Sequence, residues 1–183
     1  MLTLKYDSAM KRQFPIVWLT GNTGAGKTTL AFGAREYFNE QLTTEHPAAR
    51  RIIVLDGDEM RATVSVDEGL SPEDRRKHNL RVARLAKLLQ SHGFFVLVAV
   101  IAPFSSVRSE LDTICNPTWV YVKRSHLEGA DRPYEAPEQP AYTIDDDQLS
   151  IEEARKQLIG YLTDLTTGIQ QAEMATQQCV THL

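Results

Sequence analysis

The stretch Gly21-Asn22-Thr23-Gly24-Ala25-Gly26-Lys27-Thr28 constrains this chain more than any other. It fits G-x-x-x-x-G-K-[ST], in which glycines let the backbone turn tightly and aim its N–H groups at phosphate oxygens. Lys27 is placed to reach β- and γ-phosphates, Thr28 offers a hydroxyl to Mg²⁺, and the N-terminus of the following helix adds the positive end of a dipole. A glycine-rich turn after a strand can also be a tight connection and nothing more. Here the motif directly follows the apolar run 15–20 and opens a helical pattern, which is the arrangement a phosphate-binding loop requires.

The rest of the chain repeats that alternation. Apolar runs rich in β-branched and aromatic residues occur at 14–20, 51–55, 94–101 and 118–122, without strict alternation, as expected of parallel strands covered on both faces. Helical patterns lie at 28–41, 72–91 and 105–115, and Ser150 with Glu153 forms a capping-box start to another helix running to about 165. The order predicts an α/β P-loop NTPase fold: a doubly wound, mainly parallel sheet flanked by helices, with ligands at the carboxyl ends of the strands. Residues 123–140, with three prolines and many charges, read as a loop over that edge, and residues after Thr166 as a frayed helix or polar tail.

A chain of 183 residues with 42% hydrophobic content can bury one substantial core, so one kinase domain is expected over 1–183, its core at about 14–166 and its tail at 167–183. The net charge of −4 supplies no broad positive field, which argues against a nucleic-acid partner. Cys115 and Cys179 lack metal-ligand or CxxC spacing and read as reduced thiols. Charges among residues 1–13 break up any signal-peptide apolar region, and the longest apolar run, 94–104, is too short to span a bilayer. A cytoplasmic protein without a membrane partner is expected; the oligomeric state is left open, a homodimer included.

After the second strand comes Leu55-Asp56-Gly57-Asp58-Glu59-Met60-Arg61, read as an acidic turn at the ligand edge. Strand ends are commonly charged, and such a turn can be only a solvated one. Beside a phosphate loop, carboxylates can hold Mg²⁺ or orient a hydroxyl, and an arginine can hold an anionic substrate. With these residues the sequence resembles the adenylylsulfate kinase family, from about Val17 to Leu162, through the phosphate loop, LDGDEMR at 55–61, SPEDR at 71–75, AVIAPF at 99–104 and YEAPE at 134–138. The resemblance implies ATP and Mg²⁺ as cofactors and the ribose 3′-hydroxyl of adenosine 5′-phosphosulfate as the phosphate acceptor. It implies that Gly21, Asn22, Thr23, Gly24, Ala25, Gly26, Lys27, Thr28 and Thr29 bind the nucleotide and that Lys27 and Asp58 are catalytic, Asp58 orienting or deprotonating the acceptor hydroxyl. Thr28 and Asp56 would serve the metal, and Asp58, Arg61, Leu70, Arg75, His78, Ile101 and Leu127 the acceptor.

Departures from the family's pattern accompany these matches. His78 stands where the family has a substrate-contacting Asn, with Asn79 beside it; Ala102 replaces a serine before the proline of the third-strand turn. Only Lys123-Arg124-Ser125 fills the place of a long basic lid, and Leu70 and Leu127 replace the two phenylalanines that sandwich the acceptor adenine. Lid loss and both leucines predict weak use of adenosine 5′-phosphosulfate and favour a runner-up with the same chemistry on another nucleotide, for example a cytidine diphosphate derivative. A third reading is a non-catalytic nucleotide-binding module. No guanine-reading Asn-Lys-x-Asp follows the fourth strand, and the intact Asp58 and Arg61 argue against an idle site.

Overall fold

Apolar runs without alternation form strands buried on both faces, and the computed structural model places two of them side by side at the middle of one sheet. The structure describes residues 14–42, 46, 48–125 and 134–180. In chain order the elements are β1 (Ile16–Thr20), α1 (Lys27–Glu40), β2 (Ile52–Asp56), α2 (Gly57–Thr63), α3 (Pro72–Ser91), β3 (Phe95–Ala99), α4 (Ser105–Cys115), β4 (Thr118–Lys123), β5 (Tyr142–Asp145) and α5 (Ile151–Val180). The sheet order is β2-β3-β1-β4-β5, and every pair is parallel.

Successive side chains of a strand point to opposite faces, and the core divides accordingly. Val17 and Leu19 of β1, with Phe95 and Leu97 of β3, pack under α1 and α5 against Leu30, Phe38, Leu158 and Leu162. Ile16 and Trp18, with Val96 and Val98, pack on the other face against Val82 and Ala86 of α3 and Leu111 of α4. Phe95 sits 5.8 Å from Phe14 and 5.9 Å from Phe38, ring centre to ring centre. Truncating such a ring in a close-packed core costs about 3–5 kcal/mol.

Helix boundaries follow local capping. Ser71 accepts from the Asp74 N–H at 3.2 Å and Pro72 opens α3, where its missing N–H costs nothing. The capping box read from the sequence is present: Ser150 N–H donates to Glu153 Oε2 at 2.9 Å and Glu153 N–H to Ser150 Oγ at 3.3 Å.

Two expectations are corrected, and of the two alternatives for residues after Thr166, frayed helix or polar tail, the chain is helical. Residues 57–63 form a two-turn helix rather than a turn, because Asp56 caps it: its Oδ1 accepts from the N–H groups of Asp58 (3.0 Å) and Glu59 (3.4 Å). A fifth strand, β5, pairs with β4 beyond the proline-rich segment. Beyond Thr166, α5 continues without a break to Val180. The expectations for residues 1–13 and for Leu127 lie outside the described residues. Among those described, no helix is long and apolar enough to cross a membrane.

Candidate active site

The phosphate loop joins the carboxyl end of β1, the central strand, to the first turn of α1. Gly21 has φ +152°, and a Cβ there would lie 2.3 Å from the Val122 carbonyl oxygen, so no other residue fits beside β4. Gly26 caps α1 in the left-handed region at φ +88°. The side chain of Lys27 folds back over the loop, its Nζ donating to the carbonyls of Gly21 at 2.8 Å and Asn22 at 2.7 Å. Burial pulls its ammonium down to about 8, while the Asp56 carboxylate pushes the other way. Thr28 donates its hydroxyl to Asp56 Oδ2 at 2.7 Å, which ties the start of α1 to the end of β2.

A cleft of about 340 Å³ opens beside this loop. It is lined by Thr23, Gly24, Lys27 and Thr28 of the loop together with Asp56, Asp58, Arg61, Leu70, Arg75, His78, Asn79 and Ile101. Residues from four separate stretches of sequence thus converge on one space. Asp58 is exposed in the first turn of α2. Arg61 donates to the Gly69 carbonyl at 2.8 Å and Arg75 to the Leu70 carbonyl at 2.9 Å. Burial and then the positive charge of Arg75 hold Arg61 below its ordinary value, partly offset by the carboxylates of Asp58, Asp74 and Glu68. A wider groove of about 680 Å³ between α1 and α5 shares no lining residue with this cleft and contains none of the phosphate-loop residues.

His78 and Asn79 are each 1% exposed, and neither ring nitrogen of His78 nor either amide atom of Asn79 has a hydrogen-bond partner among the described residues. A solvated His78 is therefore ruled out. Burial first, then the charges of Arg61, Arg81 and Arg75, lower its imidazole to about 4, so it is neutral at pH 7. Buried polar groups without partners are costly, and both line the cleft, where a ligand can supply the missing bonds. Sequence reading singled out His78 and treated Asn79 only as its neighbour; the helix places both.

The AVIAPF and YEAPE motifs meet in space. Thr20 Oγ1 donates to the Ile101 carbonyl at 2.6 Å and lies 3.0 Å from the Tyr134 hydroxyl. Glu135 Oε2 accepts from the Ser105 N–H at 2.6 Å, capping α4, whose own N-cap residue is Phe104 and offers no side-chain bond. Ala102 adopts φ +40°, unusual without a glycine, and Arg108 holds its carbonyl at 3.0 Å. The backbone at Ile101 is thereby fixed on the cleft wall.

On the opposite flank of the phosphate loop, Gly24, Gly26, Thr29, Leu30, Arg124, Asp146 and Ile151 line a smaller cleft of about 160 Å³. Arg124 donates to the Gly24 carbonyl at 3.0 Å and pairs with Asp146 at 2.5 Å, while Lys123 pairs with Asp145 at 2.7 Å. The sequence had these two cations as the remnant of a basic lid; the structure has them engaged by aspartates at the end of β5. Thr29 lines this smaller cleft together with Gly24 and Gly26 and does not line the larger one.

The sequence profile described as "Adenylylsulphate kinase" matches residues 13–125. The chain is 33% identical to the probable adenylyl-sulfate kinase of Bacillus subtilis, over 86% of this chain and 89% of that one. It is 35% identical to the adenylyl-sulfate kinase of Pseudomonas aeruginosa, over 85% and 89% respectively. Among solved structures, the Mycobacterium tuberculosis APS kinase CysC in complex with AMPPNP and APS superposes with a TM-score of 0.66 at 25% identity, covering 84% of this chain and 97% of that one. The architecture is that of the P-loop NTPases.

Proposed function

The chain belongs to the adenylylsulfate kinase family, and from that premise we propose that it transfers the γ-phosphate of ATP to the 3′-hydroxyl of adenosine 5′-phosphosulfate. The observation that carries the proposal is the single cleft that the Lys27 loop lines together with Asp58, Arg61 and Arg75. Phosphoryl transfer needs little covalent help from the protein; it needs donor, acceptor and positive charge held in line. In this reading the loop N–H groups hold the nucleotide phosphates, and Lys27 exchanges the Gly21 and Asn22 carbonyls for phosphate oxygens. Arg61 and Arg75 hold the acceptor's anionic groups, and Asp58 takes the proton of its hydroxyl. His78, Asn79 and the Ile101 backbone line the remainder of the acceptor's pocket.

The hydroxyl of Thr28 and the carboxylate of Asp56, 2.7 Å apart beside the phosphate loop, are hard oxygen donors that fit a Mg²⁺ ion. They would hold it, and the ion would neutralise charge on the nucleotide phosphates. Leu70 and Leu127 then bear on how tightly the adenine is held rather than on which acceptor is used. The relatives speak neither for a changed acceptor nor for a non-catalytic module. A single kinase domain located in the cytoplasm belongs to the same proposal.

The test is ADP release from Mg·ATP by the native protein with a panel of nucleotide alcohols. The proposal expects adenosine 5′-phosphosulfate to be preferred; preference for a cytidine nucleotide, or no acceptor-dependent release, would overturn it.

A further inference from the structure

Arg61 and Arg75 owe their orientation to a loop that is itself held from elsewhere. Their carbonyl acceptors, Gly69 and Leu70, belong to residues 64–70 between α2 and α3. Val66 and Leu70 in this segment are 70% and 65% exposed, so apolar burial does little to hold it. Backbone bonds from Val64 and Ser65 to the Met60 carbonyl and a Lys77–Glu68 pair at 3.9 Å help to hold it, but most of its side-chain bonds come from Arg81 on α3. Its Nη1 donates to the Val64 carbonyl at 3.2 Å and to Asp67 Oδ1, and its Nη2 donates to Asp67 Oδ2 at 2.8 Å. The same Nη2 lies 2.8 Å from Glu68 Oε1, on a side chain that is only 5% exposed. One planar guanidinium therefore ties down the beginning and the middle of the loop, and the loop's last carbonyls hold the two cleft arginines. Arg81 does not itself line the cleft.

We infer that Arg81 is a positioning residue for the acceptor: through loop 64–70 it sets the orientation in which Arg61 and Arg75 meet the acceptor's anionic groups. The inference rests on the assignment of those two arginines to the acceptor in the proposed function. A fork with two parallel bonds to Asp67 fixes an angle as well as a distance, which a lysine ammonium at the same place cannot do. Holding the loop before the acceptor arrives removes an ordering cost from binding. Gly69 lies against the same helix: a Cβ there would come 2.8 Å from Asp74 Oδ2, and that carboxylate would have to turn aside.

Steady-state kinetics on Arg81→Ala and Arg81→Lys, read beside hydrogen exchange of segment 64–70, tests the inference. Both variants should raise the acceptor KM about tenfold, within the roughly hundredfold that a misplacement of about 1 Å can cost, and should leave the ATP KM within about twofold. Exchange in 64–70 should quicken while that of 21–28 stays native. Native acceptor KM in the lysine variant would show that Arg81 acts by charge alone, and an equal rise in both KM values would show general loosening; either overturns the inference, as does unchanged exchange in both variants. If the Arg81 variants do not fold, Asp67→Asn takes their place, with a smaller rise in acceptor KM expected and an unchanged value overturning the inference. Should the native protein fail to phosphorylate adenosine 5′-phosphosulfate, the proposed function falls, and the exchange comparison decides the role of Arg81 by itself.

Discussion

Asp56 joins stability to chemistry, and two substitutions separate them. In Asp56→Ala, α2 loses its N-cap, at a cost of about 1 kcal/mol. It also loses the bond from the Thr28 hydroxyl to a charged acceptor, about 1.5 kcal/mol at the low end for such bonds. The sum of about 2.5 kcal/mol corresponds to a fall in Tm of about 5–10 °C for a chain of this size. Asp56→Asn keeps a carbonyl oxygen for the N–H groups of Asp58 and Glu59, and asparagine caps as well as aspartate does. Its amide can donate to Thr28 Oγ1, reversing the bond without breaking it. The asparagine variant should therefore unfold within about 2 °C of the native protein, at most about 1 kcal/mol. Both variants should lose most of their turnover, because neither presents a carboxylate beside Thr28. Thermal unfolding and ADP release on the same preparations give both quantities. An asparagine variant destabilised as much as the alanine one would refute the capping argument, and one with native kcat would refute the assignment of the carboxylate to the nucleotide's metal.

Lys27→Ala should abolish transfer with little change in Tm, since the side chain lies over the phosphate loop and leaves no hole in the core; normal turnover would contradict its role. Arg61→Ala and Arg75→Ala should each weaken acceptor binding by about 1.5–3 kcal/mol while sparing ATP, measured by titration calorimetry. Loss of ATP affinity with acceptor affinity kept would place the two ligands the other way round. For His78, the folded imidazole is lowered to about 4 against about 6.5 in the unfolded chain, so between those values only the unfolded chain takes up the proton. Stability should fall as pH drops from about 6.5 to about 4 and be unaffected by this group above that window; His78→Gln should flatten that part of the Tm profile, and an unchanged slope would contradict the account. Leu70→Phe with Leu127→Phe should lower the KM for adenosine 5′-phosphosulfate, since base–aromatic stacking contributes about 1–3 kcal/mol per base; no change would show that the leucines pack adequately on adenine.

The buried parallel strands and the phosphate loop were legible because each has a local signature: an apolar run, or glycines at fixed spacing before a lysine. Short elements held from a distance were less so. Residues 57–63 read as a turn because a two-turn helix has too little length for periodicity, and its cap, Asp56, is equally suited to holding a metal. β5 is four residues at the sheet edge, after prolines that read as loop, and only pairing with β4 makes it a strand. At the site, the residue types of Asp58, Arg61 and Arg75 pointed to anion and proton chemistry, and the fold brings them to one cleft. That Asn79 shares the cleft with His78, and that Arg124 and Asp146 pair across the other flank of the loop, depends on helix rotation and on strand order, which sequence spacing does not encode.

The most direct test of the central claim is transfer of label from [γ-³²P]ATP to adenosine 5′-phosphosulfate, with the product resolved by chromatography and its phosphate located by a 3′-specific nucleotidase. The account predicts label on the 3′-hydroxyl with the native protein, and its near-complete loss in Asp58→Asn while ATP still binds. Label in no acceptor product, or transfer undiminished in Asp58→Asn, would contradict it.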